Sequence, residues 1–141
     1  MADERRRFEV SLVTPEGAAY EGECEMLIVP GEAGEIGVLA RHAPLMTILK
    51  PGPLRIQEVY GGPEQVLFVG GGFLEVLPER VTVLADVAEH ADEISVERAE
   101  EARRRAQEKL AGTLTTAEET EFQNALAMAE ARLRLARMRR G

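Results

Sequence analysis

Residues 50–86 read KPGPLRIQEVYGGPEQVLFVGGGFLEVLPERVTVLAD. Short apolar runs at 54–60, 66–69, 73–77 and 81–87 are separated by Pro51-Gly52-Pro53, Gly61-Gly62-Pro63, Gly70-Gly71-Gly72 and Pro78. Runs of this length between Gly and Pro punctuation predict strands and turns, because both residues interrupt regular ladders. Upstream the pattern continues. Phe8, Val10 and Leu12 alternate with Glu9 and Ser11, the period of a half-buried strand, and Thr14-Pro15-Glu16-Gly17 is a turn signal. Further strands are predicted in CEMLIVP (24–30), at 36–40 and at 45–49. Eight or more strands at this spacing predict an antiparallel β-sandwich of about 8–10 strands rather than a parallel α/β sheet.

Downstream the composition changes. All seven prolines and eleven of the thirteen glycines precede residue 80. Residues 1–91 carry 15 acidic and 7 basic side chains, and so the whole net charge of -8, whereas residues 92–141 balance to zero. The second part therefore predicts helices, and the fold class is α+β in two parts: a sandwich over 1–90 and an antiparallel two-helix hairpin over 91–141. Ser95 is a candidate N-cap, and Ala99, Ala102, Ala106 and Leu110 recur at helical spacing. Gly112 marks a stop. Thr116-Ala117-Glu118-Glu119 signals a capping box, followed by the stripe Phe122, Leu126, Ala129, Leu133 and Ala136. An alanine seam buries little area, so the helices are expected to persist while their docking can change; a small stable appendage is the other reading.

Composition excludes several function classes. An acidic chain with four Phe, two Tyr and no Trp lacks both the positive surface and the stacking platforms of a nucleic-acid binder. No apolar run reaches the roughly 18 residues of a membrane span, and the first eight residues carry charges with no apolar stretch after them. The lone Cys24 forbids an internal disulfide and suits a reducing compartment. Catalysis is not expected either. The only histidines are His42 and His90, Cys24 lies in an apolar strand, and no metal-ligand spacing occurs. Gly70-Gly71-Gly72 lacks the following Lys-Ser/Thr of a phosphate loop and reads as a bulge or tight strand entry.

Two stretches stand apart from core logic. In PGEAGEIGVLARHAP (30–44), Gly31, Gly34 and Gly37 bracket Glu32 and Glu35, so a turn presents acidic groups; an ordinary solvated hairpin is the plainer account. At the C-terminus Arg132, Arg134, Arg137, Arg139 and Arg140 face one acid, Glu130, giving residues 130–141 a charge of +4. Dipole capping accounts for part of this, and an acidic partner surface for the excess.

With these motifs assembled, VSLVTPEG (10–17), IVPGEAGEIGVLARHAPLMTILKPG (28–52), FVGGGFLEVLPERVTVLAD (68–86) and EISVERAEEARRRA (93–106) together resemble the epsilon-subunit family of the F-type, proton-translocating ATP synthase. The resemblance implies a non-catalytic part of the rotor at the cytoplasmic face of the bacterial membrane, attached only through the complex and requiring no cofactor. Its sandwich would bind the gamma subunit and the c-ring. Glu32, Gly34 and Glu35 fall where the family contacts the c-ring, and His42, Ala43 and Pro44 on the gamma-facing side. The hairpin would be regulatory, folded in a permissive state and extended along gamma in an inhibitory one, where Arg132, Arg134, Arg137, Arg139 and Arg140 would meet the beta subunit, with alpha nearby. Some members bind ATP through an Ile/Leu-Asp-x-x-Arg-Ala signature. Here Arg98 is present but Ser95 replaces the acid, which makes ATP binding doubtful. A free-standing sandwich adaptor with a helical arm would explain the architecture but not the ordered motifs.

Overall fold

The computed structural model describes residues 6–140, with side chains as far as Met138. The chain divides into two compact units, Met1–Glu89 and His90–Gly141. Eight strands form the β part: β1 (Phe8–Thr14), β2 (Gly17–Cys24), β3 (Met26–Gly31), β4 (Gly34–Val38), β5 (Leu45–Gln57), β6 (Glu64–Val76), β7 (Arg80–Ala85) and β8 (Ala88–His90). They pair in the order β2-β1-β7-β6-β5-β3-β4, with β8 on β6. Along the β2-to-β4 path the pairs are antiparallel except β1 with β7, where Glu9 to Val13 run alongside Arg80 to Leu84.

Two of the predicted breaks are not breaks. Pro51-Gly52-Pro53 and Gly70-Gly71-Gly72 lie inside β5 and β6, thirteen residues each, which pair without a register shift from Leu45↔Val76 to Gln57↔Glu64. What changes there is the inward face. In β5 the core residue Leu49 is odd-numbered, whereas Leu54 and Ile56 are even. In β6 the core residues Leu67 and Val69 are odd, whereas Leu74 and Val76 are even. Constant register with inverted alternation means that the two-stranded ribbon turns over as a unit, and such ribbons twist more than wide sheets. One half of it, β6 from Gly72 onward, pairs with β7 and so joins β1 and β2. The other half of β5 pairs with β3 at Met26↔Gln57, Leu27↔Ile56 and Ile28↔Arg55. The ribbon thus belongs to both layers of the sandwich.

Glycine and proline permit this turnover for separate reasons. Between Ile28↔Arg55 and Gly31↔Leu49, β3 advances three residues and β5 six, so the prolines occupy a bulged stretch. A missing N–H is tolerated there. Gly71 and Gly72 take φ of 100° and 138°, a region L side chains rarely enter. A Cβ on Gly72 would lie 2.0 Å from the Leu84 carbonyl oxygen, so β6 can cross β7 here only without a side chain. The genuine turns fall at Gly61-Gly62-Pro63, between β5 and β6, and at Pro78, between β6 and β7. Between the layers lie Phe8, Val10, Leu12, Leu27, Val29, Val81 and Val83, each at most 3% exposed.

The second unit contains a 3-10 turn (Ala91–Glu93), helix α1 (Val96–Leu110) and helix α2 (Thr116–Arg140). Ser95 caps α1 as expected, its Oγ accepting the Arg98 N–H at 3.2 Å. The second cap lies one residue earlier than the sequence suggested. Thr115 Oγ1 accepts the Glu118 N–H and Glu118 Oε1 accepts the Thr115 N–H, both at 3.1 Å. Overlapping Thr-x-x-Glu repeats, 115–118 and 116–119, make either register possible from sequence, and the earlier one satisfies both orphan groups. The seam is also narrower than expected. Ala99 and Ala106 are buried and Leu110 half-buried, but Ala102 is exposed. Successive residues turn about 100°, so Ala102 stands about 60° off the Ala99–Ala106–Leu110 line, which Arg103 occupies instead. Of the α2 stripe, Ala129, Leu133 and Ala136 are buried, and Ala131 and Leu135 form a second buried line.

Because the Gly72 position has no room for a Cβ, Gly72→Ala should destabilise the chain by about 3 kcal/mol or more. Gly61→Ala, at a turn where a Cβ meets nothing within 4 Å, should cost only about 1–2 kcal/mol through its positive φ. Urea denaturation of both variants measures the difference.

Candidate surfaces of the sandwich and the helical arm

The acidic stretch folds as a tight hairpin. β3 and β4 are joined by Glu32-Ala33, with Gly31↔Gly34 as the closing pair and Gly34 at φ 142°. Both tip residues are exposed, and the Glu32 N–H donates to the Ile48 carbonyl at 3.0 Å, which fixes the tip against β5. Glu35 is not at the tip. It lies in β4, opposite Pro30, and its Oε2 receives Arg55 Nη1 at 3.3 Å. Arg55 is itself held by Glu64, with Nη2 and Nε donating to the carboxylate at 3.0–3.3 Å, and Gln57 Nε2 donates to the same carboxylate at 2.8 Å. This network lowers the Glu64 pKa, chiefly through the Arg55 hydrogen bond, and raises that of Arg55. Arg55 and Glu64 escaped the sequence reading because their partnership depends on the Arg55↔Val66 register of β5 and β6.

His42, Ala43 and Pro44 occupy the link between β4 and β5, at the opposite end of β4 from the acidic tip. A strand of five residues separates the two ends by about 13 Å, so the two groups form distinct sites. Arg41 takes φ 62°, its N–H donating to the Pro78 carbonyl at 2.9 Å, which anchors the link to the β6–β7 turn. His42 Nδ1 lies 2.7 Å from the Ala43 carbonyl oxygen. A carbonyl only accepts, so Nδ1 carries the proton and Nε2 is the nitrogen left for an outside group. Ala43 and Pro44 are exposed and His42 is half-buried.

A third surface was missed by sequence reasoning. Ile48, Phe73 and Leu84, each about half exposed, are paired neighbours on β5, β6 and β7. Val13 on β1 and Ala18 on β2 continue the row, and Met46 adjoins it at 72% exposure. Five adjacent strands make a row about 19 Å long. The signal was present in the doubled apolar pairs Phe73-Leu74 and Val83-Leu84, which break strict alternation and place one member on each face.

On the helical arm, Arg134 and Arg137 are exposed and Arg132 is half-buried, while the side chains of Arg139 and Arg140 lie outside the described residues. Arg98 sits in the first turn of α1, exposed beside Glu97, Glu101 and Ala102 on an open shallow surface. Ser95, the residue at the acid position of the nucleotide signature, has its Oγ engaged as the cap. Cys24 is buried, and desolvation pushes its thiol up to about 12. Among the described residues no group of three or more His, Cys, Asp or Glu side chains is placed to hold a metal ion, and no helix is long and apolar enough to cross a membrane.

Residues 7–91 match the sequence profile of the ATP synthase delta/epsilon chain β-sandwich domain, and residues 92–137 that of its long α-helix domain. The chain belongs to the ATP synthase delta/epsilon family. Its resemblance to that family in sequence and its predicted sandwich-plus-helices fold are thereby both established. An ATP synthase epsilon chain of Laribacter hongkongensis is 45% identical over 127 residues, 90% of this chain and 91% of the relative. One from Alkalilimnicola ehrlichii is 44% identical over 134 residues, 94% and 95% of the two chains. Among solved structures, a chain of the Euglena gracilis mitochondrial ATP synthase assembly of OSCP, F1 and c-ring superposes with a TM-score of 0.79 at 23% identity, covering 92% of this chain and 81% of that one. A chain of the Tetrahymena thermophila mitochondrial ATP synthase central stalk and c-ring gives 0.69 at 15% identity, covering 95% and 99%. Both show the same fold.

Two measurements check this local chemistry. The Glu64 carboxylate is depressed in the folded chain, so its contribution is present above the unfolded value near ~4.3 and is lost as pH falls through the folded value. Arg55→Gln should therefore cost about 0.5–1 kcal/mol at neutral pH, with the difference from the parent vanishing in acid; denaturation curves across pH read it. For Cys24, a thiol reagent at pH 8 should react only at the rate of unfolding, since the thiolate is nearly absent.

Proposed function

We propose that this chain is a non-catalytic rotor subunit of an F-type ATP synthase, coupling proton flow through the membrane c-ring to ATP synthesis in the catalytic hexamer and restraining ATP hydrolysis through its helical arm. The observation that carries this reading is the match of both domains, in order, to the delta/epsilon family over nearly the whole chain. The structure supplies surfaces suited to the three contacts this role requires.

The exposed tip Glu32, with Gly34 shaping the turn and Glu35 behind it, suits the polar loops of the c-ring. Rim ion pairs contribute only about 0–1 kcal/mol each, so these acids orient the attachment more than they hold it. His42, Ala43 and Pro44 face the gamma subunit. The apolar row Ile48–Phe73–Leu84 provides the area that a torque-bearing junction needs, since contiguous exposed apolar faces mark protein contacts. In the arm, Arg132, Arg134, Arg137, Arg139 and Arg140 meet an acidic segment of beta, beside alpha, when the helices extend. Fifty residues of continuous helix reach about 75 Å. On the α1 side the seam that must open is built on Ala99 and Ala106, and burying methyl groups there instead of leucines lowers the apolar area that opening exposes.

No cofactor is required in this role, and Ser95 in place of an acid argues against ATP binding through Arg98. The chain is placed peripherally at the cytoplasmic face of the membrane, held there by the complex.

Removing residues 92–141 and reconstituting the complex should preserve proton-coupled synthesis while raising ATP hydrolysis threefold or more, equivalent to at least ~0.6 kcal/mol of barrier. Unchanged hydrolysis would remove the regulatory role, and lost coupling would show that the sandwich alone does not connect the rotor.

A further inference from the structure

Glu25 is the single buried charged residue of the chain's described part, 4% exposed. It stands between the last residue of β2 and the first of β3, where the chain leaves one layer for the other, and its N–H donates to the Gln57 carbonyl at 3.0 Å. Its Oε1 accepts the Tyr60 N–H at 2.8 Å, whereas its Oε2 is buried with no hydrogen-bond partner. A buried carboxylate oxygen without a partner is costly, and a sequence that retains one needs something to meet it. Glu25 lines a cavity of about 330 Å³ together with Arg6, Leu39, Ala40 and Tyr60.

The lining decides what could enter. Tyr60 is 62% exposed and Leu39 48%, so an aromatic ring and an aliphatic side chain stand open to solvent beside the carboxylate. An anionic acceptor next to an aromatic face and an apolar rim matches a guanidinium on an aliphatic stem: the head pairs with the acid, stacks on the ring, and the stem covers the leucine. A free metal ion would find one carboxylate and too few other oxygen ligands. We propose that this cavity receives an arginine side chain of a partner protein, which pairs with Glu25 beside Tyr60. The site is distinct from the acidic tip and from the basic arm. Because Oε2 is shielded, the guanidinium enters as the exposed Tyr60 and Arg6 side chains yield, and Arg6 opposes it as a like charge.

The test is an NMR titration of the full isotope-labelled chain with N-acetyl-arginine amide, against the neutral isostere N-acetyl-citrulline amide. The Tyr60 and Glu25 backbone amides should shift saturably with the arginine probe and about tenfold more weakly with citrulline. Glu25→Gln, which keeps an acceptor for the Tyr60 N–H, should abolish the arginine response while retaining a folded spectrum. Tyr60→Leu should weaken it, and Arg6→Ala should strengthen it. Absence of saturable shifts, or equal responses to the two probes, would overturn the proposal without reference to any variant. So would an arginine response that survives in Glu25→Gln, or an Arg6→Ala variant as destabilised as Glu25→Gln, which would make Arg6 the partner of Glu25.

Discussion

The β part depends on a backbone crossing that admits no side chain: Gly72 of β6 against the Leu84 carbonyl of β7. Because β6 can run this close to β7, its C-terminal half joins the layer of β1 and β2 while its N-terminal half remains beside β5 in the other layer. The β5–β6 ribbon keeps its register and inverts its inward face, so one pair of strands furnishes core residues to both layers. The sandwich is in this sense a single continuous sheet folded over its own apolar side chains. The β5–β6 ribbon keeps its register from end to end, a continuity suited to a domain proposed to transmit torque.

Against that rigid element stands an arm held together differently. α1 contributes to its buried side only the methyl groups of Ala99 and Ala106 and the half-buried Leu110, although α2 also buries Leu133 and Leu135, while the helices are secured individually by Ser95 and by the reciprocal Thr115–Glu118 cap. Strong caps with a thin seam separate helix stability from helix docking. That separation is what a regulatory element needs if it is to rearrange without melting.

Much of this was legible in the sequence, because it rests on local signals. The change from β to α followed from where glycine and proline stop, and the core face of β1 followed from alternation. What misled was the double meaning of Gly and Pro. At Gly61-Gly62-Pro63 they end a strand; at Pro51-Gly52-Pro53 and Gly70-Gly71-Gly72 they let one turn over. Only pairing across strands separates the two uses, and no local pattern reports pairing. The same blindness hid the Glu35–Arg55–Glu64 network, whose members are far apart in sequence, and the Ile48–Phe73–Leu84 row, which exists only once three strands lie side by side. The cap at Thr115 rather than Thr116 is a smaller case, in which two equivalent repeats overlap and geometry selects one.

The parallel pairing of β1 with β7 imposes an order on synthesis. Phe8–Thr14 leaves the ribosome early and can form its hairpin with β2, but its other edge waits for Arg80–Ala85, some seventy residues later. Until then an apolar strand edge stays open to other chains, a hazard in slow, non-local β folding. The nascent subunit is thus most prone to aggregation just before its β part is complete, and Glu9, the one charged residue of that strand, which lies 3.4 Å from Arg80 in the finished sheet, is the only charge guarding the edge while it waits.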